Sequence, residues 1–194
     1  PEKCPFCNLG KDEKVILVFY RGQKVDFKDK GKWSLVVVPN KFPALVPSER
    51  LEEKEIGPFR KINGAGYHEL VITKSHQRPM ALFSLQEIKE VLTAYQERYL
   101  ALKDKKIVNF IYIFQNQGAS AGASISHPHS QIITTPVSTP EFHLVLERLK
   151  RHYRKNKTCL YCEILNWERK QKKRIVFENK DFVVLCPFAS RVAF

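Results

Sequence analysis

Residues 107–137 read IVNFIYIFQNQGASAGASISHPHSQIITTPV, and how this stretch divides decides the fold. Its first ten residues are mostly β-branched or aromatic, the pattern of a strand apolar on both faces at the centre of a sheet. A connection rich in Gly, Ala and Ser follows, and SQIITTPV then reads as the antiparallel neighbour. Residues two apart on an extended strand share a face, so His127, His129 and Gln131 would offer two imidazoles and one amide to a single site. A neutral imidazole is a nucleophile at physiological pH without a base to activate it, and it can displace a phosphoryl or nucleotidyl leaving group. Gly118 and Gly122, with the hydroxyls of Ser120 and Ser124, suit close backbone approach to phosphate oxygens. Gln131 would donate its amide N–H to those oxygens without adding a proton that competes for transfer. The alternative on the residues alone is two histidines that pack, or hold a metal, beside a flexible loop.

Upstream, residues 15–20, 33–39 and 69–73 are short β-branched and aromatic runs bounded by Gly, Lys or Asn, and read as strands. The period then changes. Ile88, Val91, Leu92, Tyr95 and Tyr99 recur at helical spacing, and Ser84 with Glu87 three residues later forms a capping box. A second helix is expected to take Thr139 as N-cap and Pro140 as its first residue, running through a basic stretch towards Asn156. After CLYCEILNWERK the chain returns to strand-like text, RIVFENKDFVVLCPFASRVAF, which resembles the earlier KWSLVVVPNKFPAL. The expected class is therefore α+β, an antiparallel sheet with flanking helices. Residues 1–150 would form a complete first half, and residues 151–194 a linker and the beginning of a second, truncated half.

The 194 residues, 43% hydrophobic and 11% aromatic, suffice for a domain with a sizeable core. No run approaches the roughly 18 apolar residues of a membrane span. The opening PEKCPFCNLG lacks the apolar centre of a secretory signal, so the expectation is a cytoplasmic protein with no membrane partner. A formal charge of +13 attracts anions, a class that spans nucleic acids, membranes and small phosphorylated substrates. RLKRHYRKNK and ERKQKKR alternate with helix-compatible residues and read as solvated faces. Basic residues are not interleaved with aromatics in a recognisable motif, which weighs against the contrasting reading of a zinc-stabilised nucleic-acid-binding module.

Five cysteines, four of them in CPFC (Cys4, Cys7) and CLYC (Cys159, Cys162), suit a reducing compartment as metal ligands or free thiols. The two-residue gap lets Cys4 and Cys7 reach one tetrahedral Zn²⁺ at about 2.3 Å, with two further ligands to come from His68, His76 or His127. Cys159 and Cys162 are expected to be free or structural thiols; a four-cysteine site with Cys4 and Cys7, or a second metal, are the alternatives. Cys186 reads as a small buried hydrophobe, and His143 and His152 as solvent-facing.

NQGASAGASISHPHSQI closely resembles the signature of the galactose-1-phosphate uridylyltransferase family, the branch of the histidine-triad superfamily whose active-site strand reads His-Pro-His-x-Gln. CPFC, VVPNKFPAL, GYHELVITKSH and RIVFENKDFVVLCPFASR extend the likeness, in order, over most of the chain. The resemblance implies a histidine-triad-like sheet and a nucleotidyltransferase, with Gln131 in place of the third histidine of the hydrolases. It makes His129 the nucleophile on the α-phosphorus of a nucleoside-diphosphate sugar. The nucleotide then passes to a hexose 1-phosphate, as in UDP-glucose:hexose-1-phosphate uridylyltransferases; adenylyl-transferring relatives such as ADP-glucose phosphorylase share the same logic. It gives the His127 carbonyl the task of orienting His129. Asn116, Gly122, Ala123, Ser124 and Gln131 become contacts to the nucleotide phosphates and sugar, and Asn40 and Lys41 contacts to the nucleoside. A structural zinc on Cys4, Cys7, His76 and His127, a local role for His68, and a homodimer in the full-length protein complete what the resemblance implies.

Overall fold

A computed structural model describes residues 3–9, 14–26 and 32–191. The chain falls into two units, Pro1–Ser138 and Thr139–Phe194. Described elements of the first unit are β1 (Leu17–Tyr20), β2 (Gln23–Lys24), β3 (Leu35–Pro39), β4 (Glu53–Ile56), β5 (Phe59–Ile62), β6 (His68–Thr73), α1 (Leu85–Leu102), β7 (Phe110–Phe114) and β8 (His129–Thr135). The second holds α2 (Pro140–Asn156), α3 (Leu160–Gln171), β9 (Ile175–Glu178) and β10 (Val183–Leu185). The mixed, antiparallel α+β class expected from the sequence is the one observed.

Six strands make the main sheet in the order β2-β1-β3-β6-β8-β7, every neighbouring pair antiparallel. β4 and β5 form a separate hairpin with exposed Glu, Lys and Arg side chains, a pattern too polar to be recognised as strand from sequence. β7 is an edge strand, not the central one its composition suggested. Alternation sends Ile111 towards the core while Phe110, Tyr112 and Phe114 line the other face half-buried, so apolarity on both faces arises without a strand on each side. β8 is the interior strand, with β6 opposite Ile72 to His68 and β7 opposite Phe114 to Phe110.

The pleat separates two cores. Leu17, Phe19, Leu35, Val37, Val71 and Ile132 pack with Val91, Ala94 and Leu102 of α1. Val18, Val36, Val38, Leu70 and Ile72 face the opposite way, where Phe6 and Trp33 cover them. α1 begins with the expected capping box, Ser84 accepting from the Glu87 N–H while the Glu87 side chain accepts from Ser84 N–H. Its buried stripe differs from the one the apolar spacing suggested, because Leu92 and Tyr99 are 58% and 48% exposed. Buried Glu90 lies on the sheet side instead, its carboxylate accepting from the Gly22 N–H in the turn between β1 and β2. Gly22 has a φ of 84°, a conformation that penalises any Cβ.

A bidentate ion pair ties α1 to the sheet: Arg98 donates from Nε and Nη2 to Glu69 of β6 at 2.7 and 2.8 Å. Tyr95 adds a 2.5 Å bond to Ser130 of β8 from the same helix. Both bonds hold strands that carry site residues on their opposite face.

In the second unit Thr139 caps α2 by accepting from the Phe142 N–H, with Pro140 first in the helix as expected. The run from Leu160 to Gln171 is a helix, which the sequence reading left unassigned. β9 and β10 pair antiparallel. Cys186 is exposed, not the buried hydrophobe expected; it follows β10, which pairs with β9 alone among the described residues. His152 is half-buried and contacts Glu163 at 3.1 Å, so it is less solvent-facing than its helix position implied. No helix among the described residues is long and apolar enough to cross a membrane.

The Glu69 side chain is only 5% exposed, so Arg98→Leu would strand a buried carboxylate. The expected cost is about 3–5 kcal/mol, read as a lower urea midpoint at neutral pH; an unchanged midpoint would mean that the pair contributes nothing to the fold.

Candidate active site

β8 places His129, Gln131 and Ile133 on the face turned away from α1, and β6 places Ile72, Leu70 and His68 opposite them. Asn40 follows β3 in the same register, its N–H donating to the His68 carbonyl at 2.8 Å. One face of one sheet thus gathers His129, Gln131, His68 and Asn40. On β7, Phe114 lies opposite Gln131. Asn116, two residues further on, is half-buried.

His129 is buried, and its Nδ1 lies 2.9 Å from the carbonyl oxygen of His127. A carbonyl only accepts, so Nδ1 carries the ring proton and Nε2 keeps its lone pair. The orientation of the His129 ring is set by backbone two residues away. Phe6 packs against the same ring, centroids 5.0 Å apart and planes at 70°, and reaches His127 at 5.8 Å. The sequence offered a signal for this that was missed: Phe6 stands between Cys4 and Cys7, so anything that pins the cysteines also pins the ring against His129.

His127 is fully buried. Its Nε2 donates to the Thr73 carbonyl at 2.6 Å, which turns the Nδ1 lone pair towards Cys4 Sγ at 3.7 Å and Cys7 Sγ at 3.5 Å. His76 Nδ1 lies 3.1 Å from Cys7 Sγ, and one donor atom from each of the four residues falls within 4.8 Å of the others. Sulfur and nitrogen ligands on a tetrahedral Zn²⁺ sit about 3.5 Å apart, given bonds near 2.3 and 2.0 Å. The donor set and its spacing fit such an ion. Burial lowers the pKa of His127, although its bond to Thr73 opposes the shift, and burial likewise raises the Cys7 thiol. Both shifts disfavour charge in a pocket that a cation would reverse.

The loop between β7 and β8 turns on two glycines. Gly118 and Gly122 have φ of 81° and 82°, and the short turn between them closes with Gly122 N–H to Ala119 O and Ala123 N–H to Gly118 O at 3.0 and 3.2 Å. A Cβ on Gly122 would meet Asn116 Nδ2 at 3.8 Å, which puts this turn beside Asn116. Ser124 and Lys41 are exposed. Asn40 Oδ1 accepts from the Phe42 N–H at 3.0 Å in a local turn. His68, expected to precede its strand, is the first residue of β6 and lies outside the cysteine cluster. Instead it bonds Gln131 Oε1 through Nε2 at 2.7 Å. Cys159 and Cys162 are exposed and free, at the start of α3.

The chain is similar to named proteins in sequence and fold. Residues 22–139 match Galactose-1-phosphate uridyl transferase, N-terminal domain. The chain is 34% identical over its full length to the ADP-glucose phosphorylase of Arabidopsis thaliana, of which it covers 53%. Over 82% of its length it is 31% identical to the galactose-1-phosphate uridylyltransferase of Thermotoga maritima, covering 50% of that protein. The crystal structure of the Arabidopsis thaliana ADP-glucose phosphorylase with bound ADP-glucose superposes with a TM-score of 0.74 at 31% identity, over 98% of this chain and 56% of that one. A uridylyltransferase structure follows at 0.70 and 25%, over 90% and 62%. The chain spans about half the length of the curated relatives it matches. With the family domain matched across more than half the chain, strands β3 to β8 included, this protein belongs to the galactose-1-phosphate uridyl transferase family.

Proposed function

We propose that the protein is a nucleotidyltransferase that works by double displacement through His129, moving a nucleotide from a nucleoside-diphosphate sugar to a hexose 1-phosphate. The observation that carries this reading is the His129 Nδ1 bond to the His127 carbonyl, which leaves Nε2 as a neutral, oriented nucleophile. Nε2 attacks the α-phosphorus, the bond to the bridging oxygen breaks, and sugar 1-phosphate departs. The ring proton stays on Nδ1, and the His127 carbonyl dipole stabilises the positive charge that develops on the ring. An oxygen of the second sugar phosphate then attacks the phosphorus and releases the imidazole. Asn116, Gly122, Ala123, Ser124 and Gln131 are assigned to the nucleotide phosphates and sugar. Asn40 and Lys41 are assigned to the nucleoside.

Uridylyl transfer to a hexose 1-phosphate is the first reading of the base, and the match over residues 22–139 supports it. Adenylyl transfer is the second, supported by 34% identity along the whole chain to an ADP-glucose phosphorylase. Cys4, Cys7, His76 and His127 would hold zinc. With all four positions filled by protein, the ion would supply rigidity to the strand bearing the nucleophile. Residues 1–150 are proposed as a histidine-triad-like half that carries this chemistry and residues 151–194 as linker and start of a second. A cytoplasmic homodimer belongs to the same proposal.

Incubation with UDP-glucose or ADP-glucose followed by intact mass spectrometry is expected to show one nucleotidyl adduct on the wild type and none on His129→Ala. The adduct mass assigns the base, and an unmodified wild type with both donors would sink the transferase reading. Purified protein is expected to carry one equivalent of zinc by elemental analysis, with Cys7→Ser and His76→Ala each losing most of it. Equal zinc in both variants would rule out this cluster. Phe6→Ala should cost about 3 kcal/mol as a buried aromatic truncation and slow adduct formation at unchanged zinc content. Adduct formation at the wild-type rate would remove Phe6 from the positioning of His129.

A further inference from the structure

His68 is buried, lies on the site face, and is used by neither the cysteine cluster nor the nucleophile. Both of its ring nitrogens are nonetheless committed. The backbone N–H of Ala44 donates to Nδ1 at 3.0 Å, and because an amide N–H has no acceptor role, Nδ1 must be unprotonated. The proton of the neutral ring is therefore on Nε2, which donates to Gln131 Oε1 at 2.7 Å. Asn40 Oδ1 is taken by the Phe42 N–H, so Asn40 turns its Nδ2 to the ring, 3.4 Å from Nδ1 and off the line of the lone pair that Ala44 occupies. Its 3.1 Å approach to Nε2 is side-on, since two donors do not bond each other.

The consequence falls on Gln131. An unconstrained glutamine amide presents its oxygen or its NH₂ with almost equal ease, and near phosphate oxygens the first repels while the second stabilises. Tying Oε1 to a protonated ring nitrogen leaves NH₂ as the free end. We propose that His68 is a positioning residue that selects the donor orientation of the Gln131 amide for the reacting phosphate, and links it to the loop bearing Asn40 and Lys41. This rests on the nucleotidyl-transfer reading of the site. The chain of bonds runs from the Ala44 N–H through both nitrogens of His68 to Gln131, two residues from His129 on β8. A single ring thus sets one end of the nucleoside loop and one donor on the phosphate side.

The test is single-turnover formation of the nucleotidyl enzyme, measured across donor concentration for wild type, His68→Phe, His68→Gln, Gln131→Ala and the His68→Phe/Gln131→Ala pair. His68→Phe keeps the volume and loses both bonds; its maximal rate is expected to fall roughly tenfold to a hundredfold, with half-saturation changed by less than about threefold. His68→Gln restores an acceptor and a donor on one side chain and should recover most of the rate. In the Gln131→Ala background, His68→Phe should have no further effect, because it acts through the amide that is already gone. Additive losses in the pair, or no rescue by His68→Gln, would overturn the proposal. Should His68→Phe fail to fold, the ring tautomer of the wild type, read by long-range ¹H–¹⁵N correlation, decides. A proton on Nε2 supports the proposal and a proton on Nδ1 refutes it. A wild type that forms no adduct refutes the underlying transferase reading, an outcome visible without any His68 variant.

Discussion

The bond from His129 Nδ1 to the His127 carbonyl is the interaction on which the site depends. It joins two roles in one dipeptide repeat of strand: the imidazole of His127 faces the cysteines while its carbonyl holds the next imidazole. Each end of His127 is committed in a different direction, with Nε2 on Thr73, Nδ1 towards sulfur and the backbone oxygen on His129. Rotation of His127 about its own side chain would lose the Thr73 bond. A shift of its backbone would release the His129 ring. A metal bound there would thus act on His129 through covalent geometry, with no need to touch it.

The sheet makes that local arrangement possible. β8 is flanked by hydrogen-bonded neighbours on both sides, so a one-residue slip of register would carry His129 and Gln131 to the α1 face. Ser130 and Ile132 oppose such a slip, since Tyr95 binds the first and the α1 core encloses the second. Glu69 does the same on β6 through Arg98, with His68 and Leu70 on the reverse side. Every site residue on these strands therefore has a neighbour one position away anchored in the core beneath.

Period two and period 3.6 made much of this legible in the amino-acid sequence. The shared face of His129 and Gln131, the capping box at Ser84 and the Thr139–Pro140 helix start are local patterns, and the structure contains each; His127, expected on that face too, precedes β8 and turns its ring to the cysteines. What was misread depended on partners distant in sequence. β7 is apolar on both faces yet lies at the edge, because strand order is a long-range property. Leu92 and Tyr99 fit the helical period but face outward, while Glu90 turns inward to meet a turn 68 residues away. Cys186 has an apolar neighbourhood in sequence and an exposed one in space. The pairing of His68 with Gln131 spans 63 residues and had no local signature; only a register between β6 and β8 reveals it.

The partner chosen for the nucleophile also bears on how the proposed reaction can turn over. In the proposed nucleotidyl-imidazole the proton on Nδ1 decides the leaving group, because a neutral imidazole leaves phosphorus far more readily than an imidazolate. A carbonyl cannot take that proton, so the intermediate keeps its imidazolium character and the second displacement begins from an activated phosphorus. The nearest buried carboxylate on β6, Glu69, is on the opposite face and already held by Arg98. The polar side chains that share the sheet face of His129 are instead the imidazole of His68 and the amides of Gln131 and Asn40. On the proposed reading, attraction of a phosphorylated substrate falls to the chain's formal charge of +13, which speeds encounter without altering His129.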